Sequence, residues 1–177
     1  MLRAEGQMKR ALKILHTLGS VGMMGGMAAC LVLALLARSR SPGDAAALHA
    51  GIDVVMRWLI FPSLPVCLAS GLLAIAVHRS FQNAGWVWAK AATGVITLEG
   101  TFGLTARGRE IASISSRALA AQLAGTAPDA KLTAATASLE PLLRSERGAL
   151  WVLLAVCAAN VILGVWRPKF RRVPGRE

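Results

Sequence analysis

The sequence predicts an all-α, polytopic membrane protein built as a four-helix bundle. The 177-residue chain is 55% hydrophobic and only 16% charged, with a mean hydropathy of +0.53, whereas soluble domains are nearer a quarter charged. It contains apolar stretches of about 20 residues, the length at which a helix crosses the roughly 30 Å of bilayer hydrocarbon. The alternating strands of a membrane barrel are not visible. We place the spans of this single integral membrane domain at approximately residues 14–37, 54–77, 86–104 and 149–166.

The basic residues indicate how the chain is oriented in the membrane. A net charge of +11 would suggest nucleic acid in a soluble protein, but here the charges gather at the ends of predicted spans, so we expect a lipid partner and no nucleic acid. An even number of spans places both termini on one side, and the positive-inside bias makes that side the cytoplasmic face of the inner membrane. The residues concerned are Arg3, Lys9, Arg10 and Lys13 before the first span, and Arg167, Lys169, Arg171, Arg172 and Arg176 after the fourth.

The first span, "ALKILHTLGSVGMMGGMAAC" at its start, combines a basic lead with a long apolar run. The run is too long for a signal peptide, and no small-x-small cleavage site precedes a polar mature domain, so we expect a retained span. Gly22 and Gly26 form a small-xxx-small pair, which lets helix backbones approach closely. We expect this face to pack tightly, with a second copy or a membrane partner as one possible neighbour. The alternative is that the glycines leave flat room for a planar ligand.

The connections between spans also carry predictions. The stretch after "RSRSPGD" predicts a short helix leading into span two, with His49, Asp53 and Arg57 on one face. Pro62 and Pro65 predict a kink in the first half of span two. Span three is expected to continue out of the membrane as an amphipathic helix, before "TAPDA" turns the chain. The cysteines predict apolar filling rather than disulfides or metal sites: Cys30, Cys67 and Cys157.

Ionisable residues at membrane depth are functional candidates, because burying charge in lipid is costly. His16 shares a helix face with Met23, Met27 and Cys30, which are soft or borderline metal ligands. His16 and Met23 lie about 10 Å apart along the axis and cannot bind one ion alone. Haem iron bound by His16, with methionines against the porphyrin, fits that spacing better. The alternatives are a copper(I) site, or methionines that only fill gaps beside an interfacial histidine.

Lys90 and Glu99 are the candidates in span three. They are nine residues apart and point to opposite faces, so they do not form an intrahelical ion pair. Lys90 either shares a cavity-facing polar stripe or reaches the interface as an ordinary snorkelling lysine. Glu99 needs a partner of its own, for which Asn160 or an arginine could serve. The polar stripe with Lys90 comprises Trp86, Thr93, Thr97 and Thr101. Further candidates near span ends are Arg57 and His78. Motifs of soluble enzymes, such as the P-loop and the His-Glu-x-x-His zinc signature, are absent.

Four segments in order, "LKILHTLG", "MRWLIFPSLPVCLASGLL", "GWVWAKAATG" and "VILGVWRPKF", resemble a group of bacterial four-helix membrane proteins. The group includes an uncharacterised family of predicted integral membrane proteins, copper-resistance D-type membrane domains and the haem-containing J-type protoporphyrinogen IX oxidase. The resemblance to the oxidase implies a haem b site with His16 as the iron ligand, and Lys90 and Arg57 as further site residues. Methionine and small aliphatic residues stand where that oxidase carries tryptophan, arginine and a second histidine, and the uncharacterised family is the closer match.

Two functions therefore remain open from the sequence. The first is a haem b-binding, redox-linked membrane protein, with Lys90 and Glu99 as catalytic candidates if it is an enzyme. The second is a cofactor-free bundle with a structural, partner-binding or transport-related role.

Overall fold

The computed structural model describes residues 2–38, 40–77 and 85–166. His78 and the basic cluster after residue 166 lie outside this part of the chain. The regular structure of the described residues is entirely helical, which confirms the all-α prediction. The helices are α1 (Leu2–Ala37), α2 (Pro42–Val55), a π-helical turn (Met56–Ile60), α3 (Phe61–Val77), α4 (Gly85–Leu123), α5 (Ala130–Ala137) and α6 (Leu139–Trp166).

The long helices form a four-membered bundle. The continuous run of α2, the π-helical turn and α3 lies between α1 and α4, and α6 lies between them on the other side. The bundle therefore places α1 and α4 on one diagonal, with the α2–α3 run and α6 on the other. The core consists mainly of aliphatic and sulfur-containing side chains: Met27, Cys30, Leu31, Ala34, Ile52, Met56, Ile60, Leu104, Leu150 and Leu153.

Among the described residues, three helical runs are long and apolar enough to cross a membrane: Gly6–Ala37, Gly43–Val77 and Ala130–Trp166. They cover the first, second and fourth predicted spans. The third predicted span forms the first half of α4, whose apolar stretch also carries Lys90, Glu99 and several threonines, and α4 is not among the three runs. α4 nevertheless lies alongside α6 and the α2–α3 run within the bundle. The fourth crossing therefore stays a prediction.

The glycines of α1 let it pack directly on the backbone of α3. A Cβ atom at Gly19 would lie 2.8 Å from both the Cys67 nitrogen and the Ser63 oxygen. One at Gly26 would lie 2.6 Å from Cγ1 of Ile60. At Gly22, the obstacle would be the Ser63 hydroxyl. The predicted tight packing is thus present where α1 meets the chain's own α3 and π-helical turn.

The prolines of span two alter the helix without breaking it. The π-helical turn immediately precedes Pro62, and the Phe61 N–H donates to the Met56 carbonyl. Such a turn accommodates a disturbed hydrogen-bond ladder. The helix then continues through Pro65. After α4, which extends as a single helix as predicted, the chain turns at Gly125, whose φ is +65°.

Candidate functional site

His16 lies half-buried on α1, against α3. Its Nδ1 is 2.8 Å from the backbone oxygen of Cys67. A carbonyl oxygen can only accept, so Nδ1 carries the hydrogen and donates it, which leaves the Nε2 lone pair as the basic atom of the neutral ring. Gly71 makes room for the ring, because a Cβ there would lie 3.2 Å from the imidazole Cε1. The fold therefore fixes the tautomer of His16.

The Cys67 side chain belongs to the same group of contacts. Its Sγ lies 3.1 Å from the Ser20 hydroxyl oxygen and 3.7 Å from the His16 Nδ1. Ser20 donates its own hydroxyl hydrogen to the His16 carbonyl, at 2.8 Å, so the Cys67 thiol donates to the Ser20 oxygen. The thiol is free, yet hydrogen bonding rather than simple apolar filling describes its surroundings.

Lys90 and Asn160 lie at the same end of the bundle as His16. The Lys90 charge is close enough to act on both His16 and Cys67, and a Cβ at Gly164 of α6 would lie 2.9 Å from its Nζ. One turn along α4, the Thr93 hydroxyl donates to Oδ1 of Asn160, at 2.8 Å. The Ser70 hydroxyl also lies near the ring, 3.4 Å from the His16 Nδ1. We call this group the His16 layer; it consists of His16, Ser20, Cys67, Ser70, Lys90, Thr93 and Asn160.

The polar stripe predicted on span three faces the interior. Thr97 and Thr101 are 1% and 0% exposed, and Thr105 continues the stripe at 8%. Each of the three hydroxyls donates to the carbonyl four residues earlier, at 2.7 to 2.9 Å. The threonines therefore enter the core with their polar groups satisfied.

Glu99 and Arg57 lie outside the His16 layer; a separate position was expected for Glu99, whereas Arg57 was grouped with His16 and Lys90 through the family resemblance. Glu99 is on the exposed face of α4, and Asn160, its suggested partner, hydrogen bonds to Thr93 instead. Arg57 is 58% exposed and pairs with Asp53 one turn away, with 3.0 Å between Nη2 and Oδ2. Of the predicted site residues that the structure describes, His16 and Lys90 thus lie at the same end of the bundle, with Lys90 in range to act on His16 by its charge.

A second buried polar pair was missed by sequence reasoning. Glu146 of α6 and His49 of α2 are 1% and 5% exposed, and Oε2 of the acid lies 3.5 Å from Nε2 of the imidazole. These two helices lie on one diagonal of the bundle, so the pair meets near its centre. Cys30 of α1 is close enough to interact with the Glu146 charge, and Gly108 of α4 leaves space, because its Cβ would lie 3.6 Å from Oε1.

Helical spacing was the signal that could have found Glu146. Its charged neighbours, Arg144 and Arg147, made this segment look like a polar approach to span four. Counted in steps of four and three, however, Glu146 continues the stripe of buried residues Leu150, Leu153 and Cys157. The acid therefore occupies a core position of its helix.

The described residues contain no group of three or more His, Cys, Asp or Glu side chains placed to bind a metal ion. Cys30 is fourteen residues from His16, about 21 Å along α1, so the two ends of the predicted soft-ligand stripe lie at opposite ends of the bundle. No family model, curated protein or solved structure matches this chain. What the His16 layer offers chemically is an oriented imidazole with a nearby ammonium group.

Proposed function

We propose that this chain is a multi-pass inner-membrane protein with four crossings and cytoplasmic termini, and that its His16 layer binds haem b for a redox-linked role. The supporting observation is the 2.8 Å contact between His16 Nδ1 and the Cys67 oxygen. Histidines that ligate metals almost always donate their other ring N–H to a carbonyl, carboxylate or water, which fixes the tautomer and orients the ligand atom.

The residues present fit the chemistry of such a site. Nε2 of His16 would hold the iron, and the Lys90 ammonium would balance a propionate carboxylate where the surroundings screen charge poorly. The haem would supply one-electron chemistry. The contact of Gly19 with the α3 backbone excludes the porphyrin from the α1–α3 seam at that level. Arg57, on the exposed face of the π-helical turn, takes no part.

The absorption spectrum of the detergent-purified protein tests this proposal. We expect a Soret band, after purification or after addition of haem, that is lost in His16→Ala. The matched control is Thr17→Ala, because Thr17 is the exposed next residue on α1 and should leave the band unchanged. A wild-type protein that stays colourless after haem addition, while folded, would rule haem binding out.

A cofactor-free bundle is the second candidate, and the packing of α1 favours it. Gly19, Gly22 and Gly26 all allow close contact between α1 and the run of the π-helical turn and α3. The His16 hydrogen bond to Cys67 then stabilises the contact between α1 and α3. On this view, His16→Ala lowers stability without any spectroscopic change. Structural, partner-binding and transport-related roles all remain compatible with such a bundle.

A further inference from the structure

The hydrogen bonding around His49 leaves two acceptors facing each other. Nδ1 of His49 lies 2.8 Å from the Ala45 backbone oxygen, so it carries a hydrogen and donates it. A neutral His49 therefore presents a bare lone pair at Nε2. An ionised Glu146 has only acceptor atoms, and its Oε2 is 3.5 Å from that lone pair.

Nothing else among the described residues relieves this conflict. His49 Nε2 and both carboxyl oxygens of Glu146 are buried without a hydrogen-bond partner. A water molecule does not fit between atoms 3.5 Å apart, because two hydrogen bonds of about 2.8 Å each require a wider separation. Leaving buried acceptors, one of them charged, without a donor is unfavourable. One added proton turns the contact into a favourable one.

We propose that His49 and Glu146 form a binding site for a single proton, at the end of the bundle away from the chain termini. The proton adds to the lone pair of Nε2 or of Oε2, and no other bond forms or breaks. The pair then changes from a net charge of −1 to zero, as an imidazolium–carboxylate pair or as a carboxylic acid donating to imidazole. Neutralisation is favoured because charge is costly in a buried environment.

The groups around the pair determine how firmly the proton is held. On α6, the Arg147 charge acts on His49 and opposes a second positive charge, although Arg147 also contacts Glu140 at 3.7 Å. On α1, the Cys30 thiol donates to the Ile52 carbonyl, at 4.0 Å, and lies within range of the Glu146 charge. On α4, Arg107 is engaged with the Gly103 carbonyl and the Ser145 hydroxyl. On α2, Asp53 is paired with Arg57. The Glu146 carboxylate is thus the group that favours the proton, and Arg147 is the one that favours its release.

The pH dependence of folding tests the proposal. Between about pH 8 and pH 9, unfolded histidine and glutamate carry almost no proton, since their ordinary pKa values are about 6.5 and 4.3. If the native pair keeps one proton in this range, that proton makes the folding equilibrium constant of the wild type fall about tenfold for each unit by which the pH rises. In Glu146→Gln, the amide N–H₂ can donate to Nε2 of His49 without any added proton, so this pH dependence of folding should disappear.

The matched control is Glu110→Gln, which removes an exposed acid of α4 and should keep the wild-type slope. Reversible unfolding in mixed detergent, followed at several pH values, gives the comparison. A Glu146→Gln slope equal to that of the wild type would overturn the proposal.

A second measurement uses the wild type alone, in case the variant fails to fold. The ¹⁵N side-chain resonances of His49 in detergent at neutral pH report the state of Nε2. We expect Nε2 to be protonated or to accept a strong hydrogen bond. A resonance typical of a bare, unbonded ring nitrogen would contradict proton binding.

Discussion

At the scale of single residues, the two described histidines make the same type of hydrogen bond in different surroundings. His16 and His49 each donate Nδ1–H to a helix carbonyl, at 2.8 Å. His16 is half-buried beside the Lys90 charge, and its Nε2 is the atom we assign to an external ligand. His49 instead faces the Glu146 carboxyl group across the bundle. The surroundings, not the residue type, separate the two roles.

The hydrogen bond between Thr93 and Asn160 should couple α4 to α6. We expect a double-mutant cycle of Thr93→Ala and Asn160→Ala to give an interaction free energy of about 0.6 kcal/mol, with an upper limit near 1.7 kcal/mol. The measurement is the free energy of unfolding in detergent for the wild type, both single variants and the double variant. The same cycle with Thr97→Ala should give a coupling close to zero, because the Thr97 hydroxyl bonds to the Thr93 carbonyl of its own helix, whereas the Thr93 hydroxyl also reaches Asn160. Equal coupling in both cycles would contradict this assignment.

The sequence singled out His16 and Lys90 from helical spacing and membrane depth, which depend on the chain alone, and their role as site residues stays a prediction. It missed Glu146, since a charged side chain between arginines does not reveal which way its helix face turns. It also suggested Asn160 as a partner for Glu99, whereas Glu99 lies on the exposed face of α4 and Asn160 hydrogen bonds to Thr93. Which face is interior depends on contacts between helices, and those are not local properties of a sequence.

At the scale of helices, the α1–α3 contact depends on the absence of side chains on α1. We expect Gly19→Ala to lower the free energy of unfolding by about 1–3 kcal/mol, because its Cβ would press on the backbone of α3, which cannot rotate away as a side chain can. The control is Gly25→Ala, where nothing lies within 4 Å of the new Cβ. That variant should be neutral or slightly stabilising, given the higher helix propensity of alanine. Equal losses at both positions would argue against this seam.

Helix positions were largely predictable, and their irregularities were not. Apolar length indicated the spans, and the long extension of span three was correct, since α4 runs from Gly85 to Leu123. The prolines predicted a kink, but the structure places a π-helical turn before Pro62 and keeps the run helical. Proline removes a hydrogen bond in either case, and neighbouring helices decide how the chain adjusts.

At the scale of the whole molecule, two polar groups lie at opposite ends of an apolar middle. Cys30 follows His16 by fourteen positions, which corresponds to about 21 Å along α1, less than the roughly 30 Å of bilayer hydrocarbon. The His16 layer therefore lies near the side of the termini, and the His49–Glu146 pair lies towards the opposite surface. In this arrangement, an external ligand would bind towards one side of the membrane and the proton would bind towards the other.

Composition and architecture indicate different numbers of membrane crossings. Within the part of the chain that the structure describes, length and composition support three membrane-spanning runs, and three crossings would place the two termini on opposite sides. The position of α4 beside α6 and the α2–α3 run supports four, because its neighbours are themselves apolar enough to span. The buried threonines of α4 lower its hydropathy without exposing polar groups to lipid, since their hydroxyls are hydrogen bonded.

The location of the two termini relative to the membrane tests the central claim most directly. The measurement is protease accessibility of terminal tags in intact cells and in permeabilised cells, together with a tag inserted beside Gly125 in the turn between α4 and α5. Four crossings with cytoplasmic termini predict that both terminal tags are protected until the membrane is permeabilised, while the inserted tag is cleaved in intact, outer-membrane-permeable cells. Termini on opposite sides would show that α4 does not cross, and would contradict the four-helix membrane bundle proposed here.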